Sequence, residues 1–576
     1  MNILGISGQE RDAAAALVQD GKVIAAIEEE KLERIRHIGM NYAGGLPFKA
    51  IEFCLDRARI TFDDIDYVAY YLEPHKLFHR EIAFNSSRAT HTPDSSLIEE
   101  FPPYFVDSLN GLKQRLRTRR LIESRLSGRG RFVAVDHHLA HGASAFYGSG
   151  FERAAVIALD NKGDMTSAAL MTGEGARLSL QAEARFPNSV GLVYSAVTAA
   201  LGFSFDGDWH KTMWLAPSGE PQYLDLLADV IGVDERGLPL VNLEYFDTSP
   251  RGMLSLTERF FERAGIERRA KENPINQKHR DLAASLQTRV EDVLCKIAAR
   301  HREQTAEENL CLAGGVALNS LANSAVERRS GFKRLFVQPA AGNAGCSIGA
   351  ALYVWHQMLG NDERVYRMRH AFLGPQSGEE EIKSVLDNCK LDYEYCLTED
   401  KLISEVARLL AEGRIIAWFR GAMEFGPRTL GARSILASPT SEMMRDNLNI
   451  YIKRREDFRP FSAAVPEERA EEFFEASALT DFLQGVSRIK EGKQQLMPAA
   501  VFGNGLVRVH TVSRKTNPSF WKLLQKFDDV AGVPVLLNTS FNLFGEPVVS
   551  TPREAVRGFY CSGIDCLAIG NFLIKK

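Results

Sequence analysis

The residues most able to do chemistry are His137 and His141, four apart in Asp136-His137-His138-Leu139-Ala140-His141-Gly142-Ala143-Ser144-Ala145-Phe146. On a helix that spacing sends both imidazoles off one face, where they can close on a single cation. Neutral imidazole suits iron or zinc. A second concentration of chemistry is cationic. Tyr451 to Phe461 holds Lys453, Arg454, Arg455 and Arg459 beside Phe and Pro, and a Gly-rich stretch upstream carries Arg428. Guanidinium groups grip phosphate oxygens in pairs and lysine acts as a point charge. Arg508, on the alternating run Val507 to His510, adds a further charge, and the strand-like Val533 to Asn542 ends in Asn538, Thr539, Ser540 and Asn542, donors at a sheet rim where α/β folds bind ligands.

The elements that position these groups can be read next. Phe132 to Val135 predicts a strand delivering Asp136 as the cap of the histidine helix. Asn2 to Ser7 predicts a strand, Gly8 to Asp12 a polar turn, Ala13 to Val18 a second strand, and Asp20-Gly21 a hairpin before Lys22 to Ile27. The same order returns at Ala155 to Leu159, the turn Asp160-Asn161-Lys162-Gly163-Asp164, Met165 to Met171 and Gly173-Glu174-Gly175. A duplicated hairpin with an acidic turn fits an actin-like ATPase architecture, with the turns facing a nucleotide. Leu310 to Asn319 predicts a strand running into Gly314-Gly315 and a helix, and Gln338 to Cys346 repeats that logic through Gly342 and Asn343, so Asp164, Gly314, Gly315, Asn319, Gly342 and Asn343 are candidate nucleotide contacts. Lys211, in an expected polar loop from Gly207 to Pro217, is a candidate phosphate contact. Residues 222 to 308 are expected to be mostly helical.

A chain of 576 residues exceeds one core. Loss of apolar pattern places a junction at 361–400, between units 1–360 and 401–576. With 70 basic and 74 acidic residues the net charge is −4, which argues against nucleic-acid or polybasic membrane binding. No run is long and apolar enough for a spanning helix, and the start lacks the features of a signal peptide. The eight cysteines show no framework spacing and are expected to be reduced thiols of a cytoplasmic protein, with Cys561 and Cys566 as strand neighbours.

Together Asp-His-His-Leu-Ala-His-Gly-Ala-Ser-Ala, Leu-Ala-Gly-Gly-Val-Ala-Leu-Asn, Met-Glu-Phe-Gly-Pro-Arg-Thr-Leu-Gly-Ala-Arg-Ser-Ile-Leu, Arg-Glu-Asp-Phe-Arg-Pro-Phe and Leu-Leu-Asn-Thr-Ser-Phe-Asn resemble the NodU/CmcH carbamoyltransferase family, in order over nearly the whole chain. The resemblance implies an α/β fold class: an N-terminal duplicated actin-like (ASKHA, ribonuclease-H-like) domain joined to a C-terminal YrdC-like domain. It implies that ATP, with Mg2+, and carbamoyl phosphate give carbamoyladenylate and pyrophosphate in the C-terminal domain, and that the carbamoyl group then passes to a small-molecule hydroxyl of secondary metabolism, such as an antibiotic, with release of AMP. Arg428, Lys453, Arg459, Arg508 and Ser540 would hold carbamoyl phosphate and the ATP phosphates, with Arg454 and Asn538 beside them; Lys453 and Arg459 would serve the chemistry. His137, His141 and Asp160 would hold a divalent metal, iron in the family. Arg11 and Asp12 stand at the transfer site.

Three departures bear on that site. Asn343 replaces an aspartate ligand of the family. Arg11 replaces a histidine that could act as base. Asn161 replaces a glycine able to take positive φ. They leave two alternatives: a paralogue with an amine acceptor or a weakened metal site, or a non-catalytic nucleotide-binding partner subunit. The acceptor pocket is expected in 74–130 and 240–280, and a homodimer is left open.

Overall fold

The computed structural model describes residues 1–73, 76, 113, 116–124, 130–205, 207–248 and 253–576. The expected acceptor segment 74–130 lies mostly outside them. The chain divides into two compact units, Met1–Glu29 with His37–Arg367, and Glu30–Arg36 with Met368–Lys576.

The first unit holds two five-stranded sheets of the same topology. In one, β1 (Asn2–Ser7), β2 (Ala14–Gln19) and β3 (Lys22–Glu28) form an antiparallel meander, and β4 (Tyr67–Tyr70) and β5 (Arg131–Ala134) extend it in parallel from β1, giving the order β3-β2-β1-β4-β5. In the other, β6 (Arg153–Leu159), β7 (Thr166–Glu174) and β8 (Arg177–Arg185) repeat the meander. Four short strands intervene, β9 (Ile231–Val233), β10 (Pro239–Val241), β11 (Phe246–Thr248) and β12 (Leu254–Leu256). Then β13 (Asn309–Ala313) and β14 (Arg334–Val337) add in parallel, giving β14-β13-β6-β7-β8. Strand for strand the second sheet copies the first, which is the duplicated actin-like fold. Residues 222–308 are mostly helical, as expected, through Leu224–Val230, Glu258–Ala264 and the long Gln277–Thr305, with the four short strands set between them.

Burial explains why both meanders form. β1, β2, β6 and β13 are sheathed in Ala, Val, Ile and Leu that are almost wholly excluded from water, as parallel-edged central strands require. The small-residue helix Gly345–Tyr353 follows β14. A Cβ at Gly349 would sit 1.8 Å from the Ala140 carbonyl oxygen of helix His137–Ser149, so this crossing closes only on glycine.

The second unit is built on a nine-stranded mixed sheet. Its strands are β15 (Glu394–Tyr395), β16 (Ile416–Phe419), β17 (Arg433–Ala437), β18 (Ser462–Pro466), β19 (Ser487–Arg488), β20 (Leu506–Val512), β21 (Leu536–Ser540), β22 (Cys566–Ile569) and β23 (Phe572–Lys575), ordered β15-β23-β22-β16-β17-β21-β18-β20-β19. The amphipathic helices Glu399–Ala411 and Pro518–Ala531 bury Leu402, Val406, Leu410, Phe520, Leu524 and Phe527 in the same core. Residues 361–400, expected as the junction, carry helix Glu379–Asn388, whose Ile382 and Leu386 join that core. Cys561 caps helix Pro552–Tyr560 while Cys566 lies in β22, so the two are not strand neighbours. The described cysteines are all free. No helix among the described residues is long and apolar enough to cross a membrane.

Candidate functional site

In the first unit the loops after β1, β6 and β14 converge with the start of the histidine helix. Asp136 caps that helix by accepting the His138 and Leu139 N–H groups at 3.0 and 3.3 Å, and Asp164 accepts the His137 N–H at 3.0 Å. His137 and His141 are buried, and their Nε2 atoms lie 3.0 and 3.1 Å from one oxygen of Asp160, Oδ2. Burial works against the Asp160 charge, but the two imidazole bonds hold its carboxyl well below the usual range. Burial lowers His141 despite Asp160; burial also opposes protonation of His137, yet there the Asp160 bond wins and its pKa rises. His138 differs: burial and its two histidine neighbours push it down to about 3, and its Nδ1 is 2.9 Å from the Thr166 hydroxyl.

Two imidazoles whose Nε2 atoms lie 3.0 and 3.1 Å from one carboxylate oxygen are spaced as ligands ~2.1 Å from one divalent transition metal would be. Each ring also keeps its Nδ1 buried without a hydrogen-bond partner among the described residues. The residues present therefore fit a metal.

The turn after β1 lies close by. Asp12 has φ 54°; its Oδ1 accepts from His37 Nδ1 at 2.7 Å and its Oδ2 from Arg11 Nε at 3.2 Å. Burial would raise the Asp12 carboxyl, but the bond and charge of His37 and the charge of Arg11 bring it below the ordinary value. The Arg11 guanidinium lies 4.9 Å from the centre of the Trp209 ring, and the Arg11 carbonyl accepts from Asn343 Nδ2 at 3.3 Å. Lys162 reaches Glu10 at 3.4 Å, tying the two acidic turns together. Sequence reasoning passed over His37, which stands 25 residues from Asp12 in a stretch with no motif.

Other candidates fare unequally. Gly314 has φ +90°, and a Cβ there would meet the Leu159 carbonyl oxygen at 2.0 Å; a Cβ on Gly315 would meet Asp160 Oδ1 at 2.8 Å. Both glycines let the loop after β13 lie against the end of β6. Asn319 caps helix Ser320–Arg329 and pairs with Gln287, so its amide serves local structure. Gly342 is open around its Cβ position, with only Leu318 at 3.5 Å. Lys211 lies on helix Trp209–Leu215, not in a loop, and pairs with Asp208 at 3.2 Å. Asn161 is not among the residues with positive φ, so the missing glycine causes no strain there.

In the second unit the strand register builds a polar face. Arg508 pairs with Ser462, Ser462 with Asn538, and Ser540 with Ser434. Paired residues share a face, as do residues two apart, so Arg508, Ser462, Asn538 and Ser540 point the same way. Lys453 donates to the Ser540 and Asn542 carbonyls, both at 2.9 Å, and to Asn542 Oδ1 at 2.5 Å. Burial, then Arg455, Arg459 and Arg36, hold Lys453 well below its ordinary value. Burial and Arg428, Arg455 and Arg459 do the same to Arg508, and burial with Arg459 brings Arg428 down to about 10. The cations are thus crowded enough to feel one another.

Arg454, a sequence candidate, is exposed with φ 44°. The adjacent Arg455 is bonded to Asn449 Oδ1 at 2.7 Å and lies 4.6 Å from the centre of the Phe461 ring. Glu424 organises the Gly-rich stretch, accepting the Leu430 and Ala432 N–H groups at 2.7 and 2.8 Å, while Lys31 donates to the Glu424 and Gly426 carbonyls at 2.8 and 2.9 Å.

With this geometry in view, the chain matches the family models for the carbamoyltransferase N-terminus over residues 2–352 and the carbamoyltransferase C-terminus over 407–576. It is 36% identical to an uncharacterised protein of Synechocystis, covering 100% of this chain and 97% of that one. It is also 36% identical to nodulation protein NolNO of Sinorhizobium fredii, covering 98% and 79%, and 37% identical to nodulation protein NolO of Bradyrhizobium diazoefficiens, covering 77% and 79%. Solved structures are more remote. HypF of T. kodakarensis has a TM-score of 0.35 and 14% identity, covering 63% of this chain and 49% of that one. The chain belongs to the carbamoyltransferase family and is a carbamoyltransferase.

Proposed function

We propose that the enzyme is an ATP-dependent O-carbamoyltransferase working in two steps. In the second unit carbamoyl phosphate loses its phosphate to water, and the resulting carbamate attacks the α-phosphorus of ATP. Carbamoyladenylate forms and pyrophosphate leaves. In the first unit an acceptor hydroxyl attacks the carbamoyl carbon and AMP leaves.

The observation that carries this reading is the crowding of Arg428, Lys453, Arg455, Arg459 and Arg508 around the sheet face that bears Asn538 and Ser540. Mutually repelling, partly dehydrated cations are stabilised by a polyanion, and fixed positive charge lowers the barrier to phosphoryl transfer. Lys453, already held by three oxygens, presents its charge in a fixed place. In the first unit His137, His141 and Asp160 would hold a divalent metal, which when bound acts as Lewis acid toward adenylate oxygens. Asp12 orients His37, whose imidazole would take the proton of the attacking hydroxyl. Arg11, against Trp209, would offer positive charge and no base. The acceptor is proposed to be a small molecule with a free hydroxyl.

The test is exchange of labelled pyrophosphate into ATP in the presence of carbamoyl phosphate. Exchange that requires carbamoyl phosphate is expected; its absence would overturn the first step. AMP formed in proportion to a carbamoylated hydroxyl compound tests the second.

A further inference from the structure

The first unit keeps the two imidazoles and Asp160 but has Asn343 where the family resemblance implies a carboxylate ligand. Asn343 Nδ2 is engaged with the Arg11 carbonyl. One turn further on, the Cys346 N–H donates to the Asn343 carbonyl at 3.1 Å at the opening of helix Gly345–Tyr353. Residues three apart on a helix lie on one side, so Cys346 addresses the region that residue 343 borders. Its thiol is fully buried, and Sγ lies with one ring nitrogen of His137 and one of His141 in a group whose donor atoms are all within 4.8 Å of one another. Independently, the Nδ1 atoms of both buried imidazoles lack hydrogen-bond partners among the described residues.

We propose that Cys346 is a metal ligand, joining His137 and His141 in place of the carboxylate missing at 343. This rests on the metal site of the proposed function. On binding, the Sγ–H bond breaks, its proton leaves to solvent, and a sulfur–metal bond forms with no change in oxidation state. Two imidazole nitrogens and a thiolate suit a four-coordinate zinc-like site better than a carboxylate-rich set does. The consequence is a shift of metal preference toward zinc and cobalt, with Asn343 freed to fix the Arg11 loop.

Cobalt(II) is the probe, because thiolate ligation adds a near-ultraviolet charge-transfer band that nitrogen and oxygen ligands do not give. The full-length protein is loaded with Co2+, and bound metal is counted by elemental analysis. Wild type is expected to show one cobalt and the band. Cys346→Ala should lose the band and bind cobalt at least tenfold more weakly, while Asn343→Asp in the Cys346→Ala background should recover affinity without the band. His137→Ala should lose the metal. Bound cobalt without the band in wild type, or the band persisting in Cys346→Ala, would overturn the assignment of Cys346 and leave the rest of the metal site standing. Wild type that takes up neither Co2+ nor Zn2+ would overturn both. Pyrophosphate exchange in the same samples reports the first step separately. Circular dichroism of Cys346→Ser, nearly the same shape, separates loss of a ligand from loss of the fold.

Discussion

Asp12 and His37 form a 2.7 Å carboxylate–imidazole pair at the turn where a neighbouring arginine has displaced the expected histidine. The carboxylate holds the ring in one orientation, as the partner of a general base does. His37→Ala is expected to lower AMP release to an acceptor by 10²-fold or more and to leave pyrophosphate exchange within about twofold. Asp12→Asn should give a smaller loss of the same kind. Equal loss of both activities in His37→Ala would assign the pair to folding instead.

Crowding among cations gives a prediction in two parts. In phosphate-free buffer Arg508→Met should raise the melting temperature, because removing a buried charge that repels Arg428, Arg455 and Arg459 relieves strain in the unliganded protein. Added pyrophosphate should stabilise wild type by mass action and the variant far less. Lys453→Met should lower exchange by roughly 10²- to 10³-fold. Thermal scans with and without pyrophosphate, run beside exchange assays, check all three.

Acid stability should report His510. It is buried on β20 near the Phe520 ring, and burial lowers its pKa to about 3. The folded state then resists a proton that the unfolded chain accepts near pH 6.5, so this group costs stability as pH falls from about 6.5 toward 3. Between pH 6.5 and 5 the loss is about 2 kcal/mol. Urea titrations of wild type and His510→Gln should show the gap between them narrowing as pH falls over that range.

Gly314 and Gly315 should separate structure from site. Alanine at 314 meets both a positive φ and the Leu159 carbonyl and should destabilise by roughly 2 kcal/mol or more. Alanine at 315 meets the Asp160 carboxylate and should weaken metal binding with a smaller change in melting temperature. Metal affinity and thermal scans on the two variants check the contrast.

These residues also show what the sequence made legible. The repeated strand, acidic turn, strand and hairpin order announced the duplicated sheets because period-two apolar patterning and turn residues are local signals. The four-residue spacing of His137 and His141 was equally local. What escaped depends on chain direction or distance. Arg454 and Arg455 are adjacent, and only the left-handed backbone at 454 sends the first outward and leaves the second inside. His37 meets Asp12 across a fold no spacing encodes. The strands within 222–308 are three residues each, too short to show a period. Lys211 reads as loop because Gly207 and Pro217 flank a helix of only seven residues.

The segment Glu30–Arg36 belongs to the C-terminal unit although it is synthesised more than three hundred residues earlier. Lys31 holds the Glu424 and Gly426 carbonyls, and Arg34 Nη2 donates to the Pro547 carbonyl at 2.8 Å. A gene cut at Arg367 would therefore express a C-terminal half missing a segment that packs and hydrogen-bonds against it. Such a half should need a synthetic peptide carrying 30–36 to regain its native melting behaviour, and on the ribosome that seven-residue stretch must wait for the last third of the protein before its partners exist.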